Sequence, residues 1–247
     1  MTSRRKKPLD LLMVEQGLAP DQVRARALIM AGDVIVNDHL VDKPAIPVLA
    51  DALIRLKKIP GRYVSRGGDK LARPLDIFQV SVQDIVVIDV GASTGGFTDC
   101  LLQHGARTVY AVDVGYGQLD WKLRQDPRVV VLERTNIRKV QPHMLEPSPD
   151  LAVIDASFTS LTGLLPPVIS LLPAQGYILA LVKPQFEVKS RDCVRGGIVR
   201  DEKKYQQVFE KLITVVHSLS MHVIGIVESP LSGQKGNREF FIYLRLP

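Results

Sequence analysis

The chain has 247 residues, 46% of them hydrophobic, and a formal net charge of +6. That length holds one α/β domain of ordinary size and a small companion. Two cysteines, Cys100 and Cys193, stand outside any CxxC or Cys/His cluster, which argues for a reducing compartment and against a zinc or disulfide framework. The five histidines are scattered, so no metal is expected. Residues 11–14 are too short for the apolar core of a secretory signal, and Pro166 and Pro167 interrupt the apolar run 161–172. A cytoplasmic protein with no membrane partner is therefore expected. The charge is uneven: residues 1–83 carry 14 Lys and Arg against 9 Asp and Glu, and the remainder 18 against 17. A basic front end on a near-neutral body points to a polyanion held by the front end.

Leu9, Leu12 and Met13 are spaced for one helix face, with Gly17 as the stop. A second helix is predicted from Asp21 to Ala31, burying Val23, Ala27 and Met30 and leaving Arg24 and Arg26 nearer solvent. Val34, Val36 and Leu40 flank Asn37-Asp38, a hairpin-like turn. Two helices followed by short strands, centred on RARALIMAGDVIVN, resemble the S4 fold, a small RNA-binding domain. That resemblance implies that Arg24, Arg26 and Lys43 contact RNA phosphates. The basic start, Arg4, Arg5, Lys6 and Lys7, is assigned to the same RNA-binding set. Glycines and prolines bracket IPGRYVSRGG, which reads as a linker. The predicted division is an S4-like domain over 1–60, a linker over 61–68 carrying Arg62 and Arg66 as further RNA-facing charges, and a body over 69–247. A short helix from Asp69 to Phe78 delivers Lys70 to the edge of that body.

From Ile85 onward strands and helices alternate, which predicts a doubly wound parallel sheet. Strands are expected at 85–90, 108–112, 129–132, 151–155, 178–183, 221–227 and 239–244, with helices such as 95–104 and 203–217 between most of them. The last two strands are joined through SPLSGQKGN without a helix, as suits an antiparallel hairpin. This α/β ending resembles the seven-stranded, Rossmann-like fold of S-adenosylmethionine-dependent methyltransferases. Within it, IVVIDVGASTGGF is an apolar strand, an acid, a glycine turn and a helix start. Gly91, Gly95 and Gly96 let the backbone turn and approach a ligand, with free amides at the helix start. GASTGG is neither GxGxxG nor a P-loop. Asp113, 22 positions after Gly91, is placed for the two ribose hydroxyls of an adenosine, which NAD and S-adenosylmethionine share. Asp89 separates them, because a carboxylate at the strand end suits an ammonium and a sulfonium better than a pyrophosphate. The expected cofactor is S-adenosylmethionine, held by Asp89, Gly91, Ala92, Ser93, Thr94, Gly95, Gly96, Phe97, Asp113 and Val114, with Asn136 and Ile137 near the adenine.

Asp155, in DASF, and Lys183, in LVKPQF, close the fourth and fifth strands, where such sheets face their ligands. An amine methylator would show Asn/Asp-Pro-Pro-aromatic at the fourth strand, and a cytosine C5 methylator would need a nucleophilic cysteine. An oxygen acceptor fits better, since a ribose 2′-hydroxyl asks for a positioned base and a carboxylate. SRGGDKL, DVGASTGGF, DASF, LVKP and NREFFIYL resemble the FtsJ-type ribose 2′-O-methyltransferases, whose Lys-Asp-Lys-Glu set falls on Lys70, Asp155, Lys183 and Glu239. With YVSRGG, DVGYGQL, GGIVRD and SPLSGQKGN, the chain resembles the hemolysin A (TlyA-type) family. That resemblance implies methylation of cytidine 2′-oxygens in ribosomal RNA, of one or both subunits. Lys183 is the candidate base, aided by the like charge of Lys70; alternatively Lys183 positions the 2′-oxygen while Asp155 or water takes the proton. The loop 184–200, with Lys189, Arg191, Arg195 and Arg200, is expected to face RNA. The intact four-residue set counts against a non-catalytic RNA-binding scaffold. The lack of a secretion signal, a membrane span or a long amphipathic basic helix counts against a membrane-lytic protein.

Overall fold

The structure, a computed structural model, describes residues 6–30, 32–37, 39–56, 61–188, 197–233 and 236–247. Two compact units divide the chain, residues 1–61 and 62–247. Arg4, Arg5, Lys189, Arg191 and Arg195 lie outside the described residues.

In the first unit, β1 (Lys6–Pro8) leads into α1 (Leu9–Glu15), followed by α2 (Gln22–Met30), β2 (Val34–Val36), β3 (His39–Val41), β4 (Pro47–Leu49) and β5 (Ile54–Leu56). β2 is the centre of a three-stranded antiparallel sheet with β3 and β5, and β1 pairs with β4. The turn between β2 and β3 puts Asn37 at φ +47°, a conformation asparagine tolerates. The core joins Leu9, Leu12 and Met13 of α1 to Ala25, Leu28 and Ile29 of α2. The predicted inward face of α2 is therefore corrected: Val23, Ala27 and Met30 are exposed. The reason is Asp10, buried on α1, whose carboxylate accepts from Gln22 Nε2 at 2.9 Å and Arg26 Nε at 2.7 Å. A buried acid needs these partners, and they fix the rotation of α2. The hydrogen bonds and the Arg26 guanidinium hold the Asp10 carboxyl below its usual range despite its burial.

The second unit opens with α3 (Arg66–Ile77), then β6 (Val86–Val90), α4 (Gly96–Gln103), β7 (Thr108–Val112), α5 (Trp121–Arg124), β8 (Val129–Leu132), β9 (Leu151–Ile154), α6 (Leu165–Ile169), β10 (Tyr177–Val182), α7 (Pro184–Glu187), α8 (Glu202–Ser218), β11 (His222–Glu228) and β12 (Phe240–Arg245). The sheet order is β11-β12-β10-β9-β6-β7-β8. β12 runs antiparallel to both β10 and β11, and the remaining pairs are parallel. Alternation along β6 divides the core: Val86, Ile88 and Val90 face the α6 and α8 side, and Val87 faces the α3 and α4 side. Every predicted strand of this body is present within one residue of its expected ends. Among the described residues no helix is long and apolar enough to cross a membrane.

The linker expected over 61–68 is corrected. Asp99 of α4, itself buried, accepts from Val64 N at 2.8 Å, and Gln103 donates to Arg62 O at 3.0 Å. Tyr63 is buried, and a Cβ on Gly68 would lie 2.2 Å from its ring. Ser65 caps α3, accepting from Gly67 N, so the helix begins three residues earlier than predicted. Gly67 and Gly68, read as linker punctuation, lie where α3 packs closely on α4: a Cβ on the facing Gly96 would fall 2.2 Å from Ser65 Oγ and 2.9 Å from Gly68 N. Gly96→Ala should therefore cost about 1–3 kcal/mol through overpacking of α3 against α4. Thermal unfolding checks this, and an unchanged midpoint would mean that the helices part freely.

Candidate active site

Four strands of the second unit bring chemistry to one edge of the sheet. Asp155 follows β9, and its amide donates to Val90 O of β6 at 2.9 Å. Val182, the last residue of β10, lies opposite Phe240, the first of β12. Lys183 and Glu239 therefore leave the sheet side by side, one strand ending where its antiparallel neighbour begins.

Two ion pairs assemble the rest. Lys183 Nζ lies 2.5 Å from Asp155 Oδ1 and donates to Ser157 Oγ at 2.9 Å. Lys70 Nζ, from the first turns of α3, lies 2.5 Å from Glu239 Oε2. The Glu239 carboxylate is 3% exposed and the Lys70 and Lys183 side chains 13% and 11%. Charges this buried persist only when paired. The Glu239 backbone is fixed too, its carbonyl accepting from Ser229 N at 2.8 Å. The four residues named from the Lys-Asp-Lys-Glu resemblance thus form two pairs on neighbouring strand ends.

Beside them stands Asp89. Alternation along β6 turns it to the α4 side, where Thr98 Oγ1 donates to Oδ2 at 2.7 Å; Oδ1 is buried without a partner. Burial, followed by the repulsion of Asp155 and Asp113, pushes its carboxyl up to about 7. An orphaned oxygen among three acids is a demand for positive charge. The ammonium and sulfonium of S-adenosylmethionine meet it, so the residues present fit that cofactor.

The loop after β6 packs closely on its neighbours. Gly91 at φ +91° comes so close to the next strand's loop that a Cβ would lie 2.6 Å from Asp155 O. Asp113, after β7, accepts from Ser93 N at 2.8 Å and Gly115 N at 2.6 Å, bracing the glycine loop against the next one. Ser93, Thr94 and Val114 are exposed at this edge, whereas Ala92 and Phe97 are buried, with Phe97 stacked on Phe241 at 6.0 Å. At Gly95 a Cβ would strike Leu123, and at Gly96 it would strike Ser65 and the start of α3. The amides expected to be free are engaged at two of these glycines: Gly91 N donates to Val112 O at 2.8 Å and Gly95 N to Ala92 O at 2.7 Å.

Two further expectations are adjusted. Asn136 caps a 3₁₀ turn, accepting from Arg138 N. Ile137, expected near the adenine, has its side chain buried in the α6-side core; the turn rotates it inward, because an apolar side chain at that position covers the sheet. Of the candidate RNA contacts, Arg24 and Lys43 are exposed, Lys6 belongs to β1, Lys7 pairs with Glu15 at 2.6 Å, and Arg26 is held by Asp10. Arg62 lies over the Tyr63 ring at 5.1 Å, and Arg66 reaches Ser232 O at 3.5 Å. Cys100 is buried, which pushes its thiol up to about 12. Sequence reasoning missed Ser157, which steadies Lys183. It also missed Asn237, whose buried amide accepts from Val199 N at 2.9 Å and donates to Gly197 O at 3.0 Å. Ser157 sits inside DASF, and Asn237 ends SPLSGQKGN and opens NREFFIYL, so both could have been flagged by position.

The sequence profile of the FtsJ-like methyltransferase family matches residues 63–246. YqxC of Bacillus subtilis is 47% identical over 248 residues, spanning 100% of this chain and 88% of that one. The 16S/23S rRNA (cytidine-2′-O)-methyltransferase TlyA of Mycobacterium tuberculosis is 42% identical over 242 residues, 98% of this chain and 90% of its own. A solved structure of a hemolysin-named protein from Streptococcus thermophilus superposes with a TM-score of 0.74 at 42% identity, covering 99% of this chain and 90% of that one.

The burial of Asp89 has a pH signature. Its folded-state pKa is raised, so its contribution to stability is present below the ordinary carboxylate range and is lost as pH rises toward about 7. Asp89→Asn keeps an acceptor for Thr98 and removes the ionisation. Without cofactor, the thermal midpoint of the variant relative to wild type should be higher at pH 8 than at pH 5. A difference that does not vary with pH would place the titration elsewhere.

Proposed function

Because the chain belongs to the FtsJ-like methyltransferase family, we propose that it transfers a methyl group from S-adenosylmethionine to the ribose 2′-hydroxyl of a cytidine in ribosomal RNA. The observation that carries this reading is the meeting of two Lys–carboxylate ion pairs at a strand edge that also holds Asp89, whose Oδ1 is buried without a partner. The relative TlyA is named for this reaction on 16S and 23S rRNA. Its 42% identity spans nearly all of both chains, which supports extending the substrate to this protein.

Asp89 and the exposed residues Ser93 and Thr94 would hold the methionine end of the cofactor. Asp113 and Val114 would take the ribose and adenine, with Asn136 at the adenine edge. Bound there, S-adenosylmethionine supplies an electrophilic methyl group. The chain then has to hold the 2′-oxygen in line with that methyl and remove its proton. The Lys183 ammonium, an ion-pair donor to Asp155, donates a hydrogen bond to the 2′-oxygen and stabilises the negative charge that develops on it. The departing proton passes to Asp155 or to water. Glu239 and Lys70 fix the other wall: their mutual neutralisation allows both to sit beside the crevice.

The first unit, read as an S4-like module, would dock structured RNA through Arg24 and Lys43, while the second carries out the chemistry. A ribosomal RNA substrate puts the protein in the cytoplasm.

With undermodified ribosomal subunits and tritiated S-adenosylmethionine, label should enter RNA and map to a cytidine 2′-oxygen; label confined to protein or a base would overturn this function. Lys183→Ala should reduce transfer by about 100-fold or more with calorimetric cofactor affinity close to wild type. Arg24→Ala with Lys43→Ala should flatten the dependence of log affinity on log salt by about one for each phosphate that is no longer neutralised. An unchanged slope would remove the first unit from RNA docking.

A further inference from the structure

After β7 the chain makes a loop whose polar groups are thoroughly engaged. Asp113 accepts from Gly115 N, Arg134 N donates to Gly115 O at 2.9 Å, and Asp120 N donates to Thr94 O at 3.2 Å. Glu133 accepts from the amides of Gly117 and Leu119 and pairs with Arg124, contacts that hold its carboxyl below the usual range. Leu119 and Leu123 are buried beneath it. A loop so firmly seated has little reason to turn large apolar side chains outward. It turns out three: Val114 is 71% exposed, Tyr116 67% and Trp121 72%. Rings and cations alternate there. The Arg134 guanidinium lies 4.0 Å over the Tyr116 ring, and the Lys122 side chain next to Trp121 is 72% exposed, its Nζ at the 4.0 Å limit of an ion pair with Asp99.

We propose that this loop is a stacking surface for single-stranded RNA next to the methylated nucleotide, with bases on Trp121 and Tyr116 and phosphates on Arg134 and Lys122. The proposal rests on the ribose-methylation reading above. Rings interleaved with exposed cations are the chemistry that holds a single strand without reading its sequence. A cofactor adenosine does not account for the surface, since it offers one base and Val114 adjoins the ribose acid Asp113. Two aromatic rings then remain. The nearby acids do not repel a phosphate strongly: Glu133 is paired with Arg124, and Asp120 caps α5 by accepting from Lys122 N. The loop also adjoins the substrate crevice, because Asp120 is tied to Thr94 of the glycine loop. RNA led past Trp121 would reach the edge where Lys183 and Asp155 stand.

Trp121 is the single tryptophan of the chain, so intrinsic tryptophan fluorescence reports this position alone. Adding a single-stranded oligocytidylate to the full-length protein without cofactor should quench it saturably, whereas S-adenosylmethionine alone should leave it nearly unchanged. Trp121→Ala should weaken filter binding of undermodified 23S rRNA by about ten-fold and raise KM for RNA more than it lowers kcat. Trp121→Phe should recover most of the loss, and the calorimetric cofactor affinity of both variants should match wild type. The proposal is overturned if oligocytidylate causes no quenching and Trp121→Ala binds RNA like wild type. It is overturned equally if S-adenosylmethionine alone quenches and the variant loses cofactor, which would assign the ring to the cofactor site. A variant that instead changes sedimentation from a larger species to a smaller one would assign the ring to a second copy of the chain. Quenching by oligocytidylate in a protein that methylates no rRNA would overturn the ribose-methylation reading and leave the RNA surface standing.

Discussion

The second unit depends on one constraint: Glu239, with its carboxylate almost wholly out of solvent, has to be met by Lys70. Removing one partner of a buried pair leaves an uncompensated charge, at a cost of about 3–5 kcal/mol. The two residues are 169 positions apart, so their pairing ties the start of the unit to its end. It requires α3 to lie at the edge where β10 ends, and it requires β12 to enter the sheet there, antiparallel between β10 and β11. The same insertion places Lys183 beside Glu239. The fold and the site are thus solutions to one electrostatic problem.

Around that pair, the glycine loop is less a cradle than a joint. Gly91 lets the loop pass close to the Asp155 backbone, Gly95 leaves room for Leu123, and Gly96 lets α3 and α4 approach. The pairing of β6 with β9 and the close pass at Gly91 set the position of Asp89 and Asp155 relative to one another. The outcome is a rigid wall with an acid whose second oxygen lacks a partner. A carboxylate held buried with one oxygen unpartnered is costly in isolation and becomes favourable once a cation arrives.

The first unit solves a smaller version of the same problem. Asp10 is buried on α1 and takes Gln22 and Arg26 from α2, which sets the rotation of α2. In doing so it leaves Arg24 free toward solvent and commits Arg26 in part to the fold. Charge that looks interchangeable along the chain is sorted by one buried acid into a structural cation and an available one.

Much of this was legible from residue order alone. Continuous β-branched runs such as residues 85–88 determine buried parallel strands, because both faces of such a strand are covered. The helix-free SPLSGQKGN connection determines the antiparallel ending. Asp89, Asp155 and Lys183 were recognisable because they sit at strand ends, and strand ends in this architecture share an edge. Local pattern could not decide which face of α2 is inward, since Val23, Ala27 and Met30 are as apolar as Leu28 and Ile29; the partner of Asp10 decided it. Nor could it tell that residues 62–68 are docked, because glycines for flexibility and glycines for close packing look alike until the packed surface exists. Ile137 turned inward for the same reason. What the residues determine by themselves is periodicity, and with it the elements and their ends. Which buried charges meet depends on contacts between segments far apart in the chain, and only the tertiary structure decides them.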